Sequence, residues 1–318
     1  MNMIQGQWPA AATVAATGRG DAGGAGRRGN SPQGATGLHQ FRYTDNDFER
    51  IRELIHRCAG ISLNPGKQHM VYSRLARRLR VRRVPSFADY IDLVERGDQA
   101  EIEEFINALT TNLTAFFREP HHFPLLARHL DRLVSHRRSL AVWSSAASSG
   151  EEPYSLAMTV VEHFGSFNPP VKIYASDIDT SALDRARRGV YAAERVRDMS
   201  PSRMKRFFLR GEGKNAGYVR VKPELQRLVT FERLNLLDEQ WPLAERFDAI
   251  FCRNVMIYFD KTTQYQVLKR FVPRLQPEGL LFAGHSESFH QASDLFRLCG
   301  KTVYSPVGIA RDGNREAP

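Results

Sequence analysis

Residues 140–155 read LAVWSSAASSGEEPYS, and this stretch decides how the second half of the chain folds. The uncharged run ending at Val142 and Trp143 suits a buried strand, and the small residues after it let the backbone turn sharply. Pro153 belongs near a helix start, where its missing N–H costs little. Strand, turn and helix in succession form the first unit of a doubly wound α/β sheet, in which ligands sit at the carboxyl ends of parallel strands.

Working outward, short apolar runs at 171–176, 228–234, 247–252 and 279–283 alternate with helical segments, as parallel strands with helices on both faces require. An interruption at about 189–227 carries RGEGKNAG (210–217) followed by a Val/Lys/Arg alternation, and it reads as a small antiparallel insertion. Upstream, Thr44 and Asp47 have capping spacing, and Phe48, Ile51, Leu54 and Ile55 follow at helical intervals. After a turn at Pro65 and Gly66, a second helix has Val71, Leu75 and Leu79 on one face, with Arg74, Arg77 and Arg80 projecting from the other. Further helices are expected at 86–95 and 99–109. The chain thus divides into a helical domain at 39–110, a link at 111–139 and an α/β domain at 140–306. Residues 1–38, nearly half Gly and Ala, are expected to be a disordered tail, and 307–318 a flexible one.

Composition narrows the class. Of 318 residues, 42% are hydrophobic, enough for a sizeable core. No run of about 18 apolar residues and no compact secretory block appear, so the protein is expected in the cytoplasm. Cys58, Cys252 and Cys299 are an odd count without C-x-x-C spacing, which argues against a disulfide framework and against a metal site. A net charge of +10 suits an acidic partner without choosing among nucleic acid, an anionic membrane face and a protein.

The turn itself constrains the ligand. A dinucleotide fingerprint would place three glycines there, yet Gly150 stands alone, and Glu151 and Glu152 would repel phosphate at a helix N-terminus. S-adenosylmethionine, with an ammonium group and a positive sulfonium, tolerates a carboxylate beside the turn. A plain strand-to-helix turn with a capping Glu pair would read the same way. Downstream, Asp177 ends the second strand, where an acidic residue can accept both ribose hydroxyls, while Asp179 is better placed to cap the next helix. Asn235 and Leu236 follow the third strand, and the fourth delivers Arg253, Asn254 and Tyr258. Asp248, at the start of that strand, falls on the opposite rim.

The strings TNLTAFFREPHHF (111–123), WSSAASSGEEPYSLAM (143–158), ASDIDTSALDRAR (175–187), FDAIFCRNVMIYFDKTTQ (247–264) and GLLFAGHSESF (279–289) together resemble the CheR family, the chemotaxis receptor glutamate O-methyltransferases. The resemblance covers about residues 41–305. It implies a helical N-terminal domain and a Rossmann-like methyltransferase domain with an inserted β-subdomain, transferring methyl groups from S-adenosylmethionine to receptor glutamates and releasing S-adenosylhomocysteine. It also implies cofactor contacts at Asn112, Thr114, Arg118, Glu152, Asp177, Asn235, Leu236, Cys252, Arg253 and Asn254, with Arg118 and Tyr258 nearest the transferring methyl. Methyl-accepting chemotaxis receptors are the implied partners, which would recruit the enzyme to receptor clusters. Arg74, Arg77, Arg78 and Arg80 could meet an acidic receptor helix, although a basic helix face is often merely solvated. Gly211, Gly213 and Gly217 resemble the loop of family members that tether a receptor C-terminal pentapeptide, with a strand edge near Tyr218 to receive it, although an ordinary hairpin turn would also suit them. A nucleic-acid methyltransferase is disfavoured, since CRNVMIY replaces an Asn/Asp-Pro-Pro-aromatic motif. Retention of Arg118 and Tyr258 argues against a module that only binds cofactor, and no membrane insertion is expected.

Overall fold

The computed structural model describes residues 40–308, so the expected tail at 1–38 and most of that at 307–318 lie outside the described residues. Helix α1 (Asp45–Ala59) begins at a capping box, in which Thr44 Oγ1 accepts the Asp47 amide and Asp47 accepts the Thr44 amide. It stops at Gly60, whose φ of 69° is open to glycine at little cost. A 3-10 turn at Pro65–Lys67 leads into α2 (Gln68–Arg82). Ser86 and Asp98 then cap α3 (Phe87–Glu95) and α4 (Gln99–Leu109) with their side chains. Phe48, Ile51, Leu75, Phe87, Ile91 and Phe105, each at most 1% exposed, meet at the centre of this domain. Burial of each such side chain is worth about 1.5–3 kcal/mol, so the apolar faces of these helices hold them together.

The expected arginine stripe on α2 is not uniform. Arg77 and Arg80 are exposed, but Arg74 does not project to solvent. Its Nη1 donates to the carbonyls of Leu109 (3.1 Å) and Thr110 (2.7 Å), capping the C-terminus of α4. Arg78 is drawn inward by Glu101 and Glu104.

The second domain opens with α5 (His122–Val134), β1 (Leu140–Ser144), α6 (Glu151–Phe164), β2 (Val171–Asp177) and α7 (Thr180–Arg188). An inserted region holds β3 (Val190–Ala192), α8 (Pro201–Phe207), β4 (Phe208–Arg210) and β5 (Tyr218–Val221). Then come α9 (Pro223–Gln226), β6 (Val229–Arg233), β7 (Phe247–Cys252), α10 (Lys261–Phe271), β8 (Leu275–Ala283), β9 (Phe296–Gly300) and β10 (Val303–Pro306). The main sheet runs β6-β2-β1-β7-β8-β10-β9, parallel through β8 and antiparallel in its last two strands. Those antiparallel strands were not among the apolar runs picked out from the sequence. Alternation in β1 sends Val142 to the core beneath α6 and Trp143 to the core beneath α10, so both faces are covered. The chain leaves β1 toward β2 on one side and later reaches β7 on the other. That reversal of strand order opens a crevice above the end of β1.

The insertion is the antiparallel sheet β3-β5-β4. Strand β5, where a free edge was expected near Tyr218, is the central strand, paired with β3 through Val190↔Arg220 and with β4 through Phe208↔Val221. Any added strand must therefore join β3 or β4. Among the described residues, no helix is long and apolar enough to cross a membrane.

Candidate active site

A cavity of about 420 Å³ lies at the crevice, walled by the carboxyl ends of β1, β2 and β7, the loop at 110–118, and the helical domain through Met70 and Arg74. That volume is within the ~300–1,000 Å³ of small-molecule sites.

Its charged wall is built from distant parts of the chain. Glu152, in the first turn of α6, accepts from the Ser144 hydroxyl (2.7 Å) and from Arg253 Nη1 (2.9 Å). Burial pushes the Glu152 carboxyl up, while the Arg253 charge and the Ser144 hydrogen bond act against it. Arg253 also pairs with Glu119 (3.4 Å) and donates to the Arg118 carbonyl, joining β7 to the loop. Burial opposes ionisation of Glu119, but hydrogen bonds from His285 and the Arg253 charge outweigh it and hold the carboxyl at about 2.

Asp177, at the end of β2, accepts the amides of Ser148 (2.8 Å) and Asp179 (2.9 Å). Burial raises it to about 6 despite those bonds. Asp179 caps α7 by accepting the Ala182 backbone amide and also accepts from the Asn112 side-chain Nδ2 (2.6 Å), so it organises the wall from behind. Asn235 donates to the Cys58 carbonyl (2.9 Å) and accepts from the Leu237 amide (3.0 Å), stitching the helical domain to the sheet. Arg118 donates to the Leu113 carbonyl (2.8 Å), within its own loop.

A family model described as "CheR methyltransferase, SAM binding domain" matches residues 112–305, and one described as "CheR methyltransferase, all-alpha domain" matches residues 46–110. The chain belongs to the CheR methyltransferase family. Similar relatives include Chemotaxis protein methyltransferase 2 of Pseudomonas aeruginosa, 57% identical over 278 residues that cover 87% of this chain and 99% of that protein. The Chemotaxis protein methyltransferase of Escherichia coli is 50% identical, covering 86% of this chain and 97% of that protein. The coarse activity of this CheR chain is thus S-adenosylmethionine-dependent methyl transfer in chemotaxis.

The cavity suits that cofactor chemically. Asp177 keeps further lone pairs for hydroxyl donors, and Glu152 gives the wall a carboxylate, which suits a ligand carrying sulfonium and ammonium groups. Asn112, Thr114, Arg118, Glu152, Asp177, Asn235, Leu236, Arg253, Asn254 and Tyr258 all line it. Cys252 does not join them, for its side chain is fully buried in the core beneath α10. Arg74 reaches the cavity wall, whereas Arg77, Arg78, Arg80 and the three loop glycines are not part of it. Gly211 has a local reason to be glycine, since a Cβ there would meet the Asn215 carbonyl at 2.0 Å.

Two carboxylates outside the expected cofactor set support the wall. Glu119 is one. The other is Glu287, which accepts the amides of Asn254 (2.9 Å), Val255 (3.0 Å) and Met256 (2.8 Å). It thereby fixes Asn254 at a φ of 60°, a left-handed conformation that asparagine tolerates better than most non-glycine residues. Both carboxylates stand in quoted motif strings, but their partners lie elsewhere in sequence, so local spacing carries no sign of their work.

Proposed function

We propose that the chain transfers the methyl group of S-adenosylmethionine to glutamate side chains of methyl-accepting chemotaxis receptors, giving methyl esters and S-adenosylhomocysteine. The observation that carries this reading is that Arg118 and Tyr258 line the same cavity as Glu152 and Asp177. In it, Asp177 holds the ribose, Glu152 faces the charged end of the cofactor, and Asn235 with Leu236 meets the adenine. Asn112, Thr114, Arg253 and Asn254 complete the cofactor wall. Arg118 and Tyr258 orient the incoming carboxylate.

The chemistry asks for no catalytic base, because a glutamate carboxylate is already ionised near pH 7. Attack on the sulfonium methyl forms the ester C–O bond as the C–S bond breaks, and both partners lose their charge. A dry, prearranged cavity favours that charge-neutralising transition state, so alignment supplies most of the rate. Arg77 and Arg80, exposed on α2, give the acidic receptor helix a docking face, with Arg74 and Arg78 supporting the helix from behind. The glycine loop of the inserted sheet bends clear of a receptor tail joining the edge of β3 or β4. Such an enzyme works in the cytoplasm at receptor clusters. The test is transfer of tritiated methyl from S-adenosylmethionine to receptor-containing membranes, with base-labile release of methanol as the expected result. Label that resists base overturns the ester assignment.

A further inference from the structure

Arg195 stands in the 3-10 turn Ala193–Val196 of the insertion, outside every motif that marks the cavity. Its Nη2 donates to the Thr114 carbonyl (2.8 Å) in the 110–118 loop and also pairs with the Glu151 carboxylate. Glu151 begins α6 and is 1% exposed, with the Ser149 hydroxyl donating to its other oxygen at 2.7 Å. One guanidinium therefore bridges the loop and the first turn of α6, the two segments that bring Thr114 and Glu152 to the cavity. Neighbouring contacts repeat the pattern. Phe116 packs edge-on against Tyr191 (4.9 Å) and Phe208 (5.7 Å) of the inserted sheet. The Tyr191 hydroxyl donates to the Ser149 carbonyl (2.7 Å). The insertion is thus wedged against both walls, and Arg195 is its polar clamp.

We propose that Arg195 is a positioning residue that sets the spacing of the Thr114 loop against the first turn of α6, so that the inserted sheet governs affinity for S-adenosylmethionine. This rests on the cofactor site proposed above. Elsewhere the loop is hydrogen-bonded from Asn112 to Asp179, from the Phe117 N–H to the Ser155 hydroxyl and from the Arg118 carbonyl to Arg253, so that Arg195 is the polar tie at Thr114 between them. Releasing its middle makes the cofactor order the loop on binding, a cost that appears in affinity. The two N–H bonds of Arg195 Nη2 point apart in the rigid guanidinium plane and serve the carbonyl and the carboxylate together, a fixed geometry that a freely rotating lysine ammonium lacks.

The experiment uses the full chain and measures S-adenosylhomocysteine binding by calorimetry alongside steady-state methylation. Arg195→Ala is expected to weaken binding and raise KM for S-adenosylmethionine about tenfold, with kcat at saturating cofactor within about twofold. Arg195→Lys should be intermediate. Because Arg195→Ala strands a buried carboxylate, the double variant Glu151→Gln/Arg195→Ala removes that charge, and it should remain weak. Arg197→Ala is the control, a neighbouring side chain 76% exposed, and should behave as wild type. Wild-type affinity in the double variant, or a fall in kcat without a change in affinity, overturns the role. Asp177→Ala separates the two readings: weak binding there with wild-type binding in both Arg195 variants sinks only the clamp, whereas wild-type binding in Asp177→Ala sinks the cofactor site beneath it.

Discussion

Each domain contains a buried arginine–carboxylate cluster, and the two do different work with the same chemistry. In the helical domain, Glu101 is 1% exposed and receives Arg78 Nε (3.1 Å), Arg78 Nη2 (2.7 Å) and the Tyr90 hydroxyl (2.8 Å). Its partners are all side chains of the helical domain, and the cluster locks α2 to α3 and α4. In the α/β domain, Arg253 joins Glu152 and Glu119, and both Glu152 and Arg253 also line the cavity. Arg253 Nε and Glu119 Oε2 are buried without a hydrogen-bond partner. A buried ion pair is therefore not by itself the mark of a site, since structural networks use the same groups. What separates the two is whether the charges border space that a ligand can fill.

Replacement of Glu101 should have the largest effect and should confine it to stability. Glu101→Ala leaves the Tyr90 hydroxyl without its acceptor and Arg78 with Glu104 alone, a loss of about 3 kcal/mol in urea unfolding, with S-adenosylhomocysteine affinity of the folded protein unchanged. Affinity falling in step with stability would break the distinction between the clusters. Arg118→Ala should do the opposite, lowering methylation at saturating cofactor about 100-fold with no comparable change in the unfolding midpoint. Tyr258→Phe should follow the same pattern more mildly, and wild-type rates in both variants would dismiss them as orienters.

Asp177→Ala should cost at least about 1 kcal/mol of S-adenosylhomocysteine affinity through lost hydrogen bonds, and unchanged binding in calorimetry would remove the ribose assignment. Its titration sharpens the test. Burial holds Asp177 at about 6 against an ordinary 3.8, so between those values the folded state binds the extra proton. The stability contributed by this group is therefore lost as pH rises through that window. Glu119, held at about 2, runs the other way: its contribution is present above its ordinary 4.5 and is lost as pH falls toward 2. If ionised Asp177 accepts the ribose hydroxyls, affinity should fall as pH drops below about 6 in wild type, with that dependence absent from Asp177→Asn.

The smallest effect is expected from reversing Arg77 and Arg80 to Glu, which should slow receptor methylation several-fold and flatten its salt dependence, leaving cofactor binding intact. Arg74 is omitted because it caps α4, so its replacement would mix docking with stability. Unchanged receptor methylation would return the exposed arginines to ordinary solvated surface.

Much was legible in the sequence because it depends on near neighbours along the chain. The Thr44–Asp47 capping box, the helices of residues 39–110, the five parallel strands β1, β2, β6, β7 and β8, and Asp177 at a strand end follow from periodicity and from which residues tolerate caps and turns. The interrupted sheet was legible too, though which of its strands lay in the middle was not, because pairing order depends on how β3, β4 and β5 meet in space. The same limit hid β9 and β10, which are stabilised by pairing with each other and with β8 more than by an apolar run of their own. Tertiary structure alone decided that Arg74 and Arg78 turn away from solvent, that Cys252 faces the core, and that Glu119, Glu287 and Arg195 support the cavity. Each of these depends on a partner many residues away, where the energy of a hydrogen bond or an ion pair is set by burial and direction, quantities that sequence spacing does not contain.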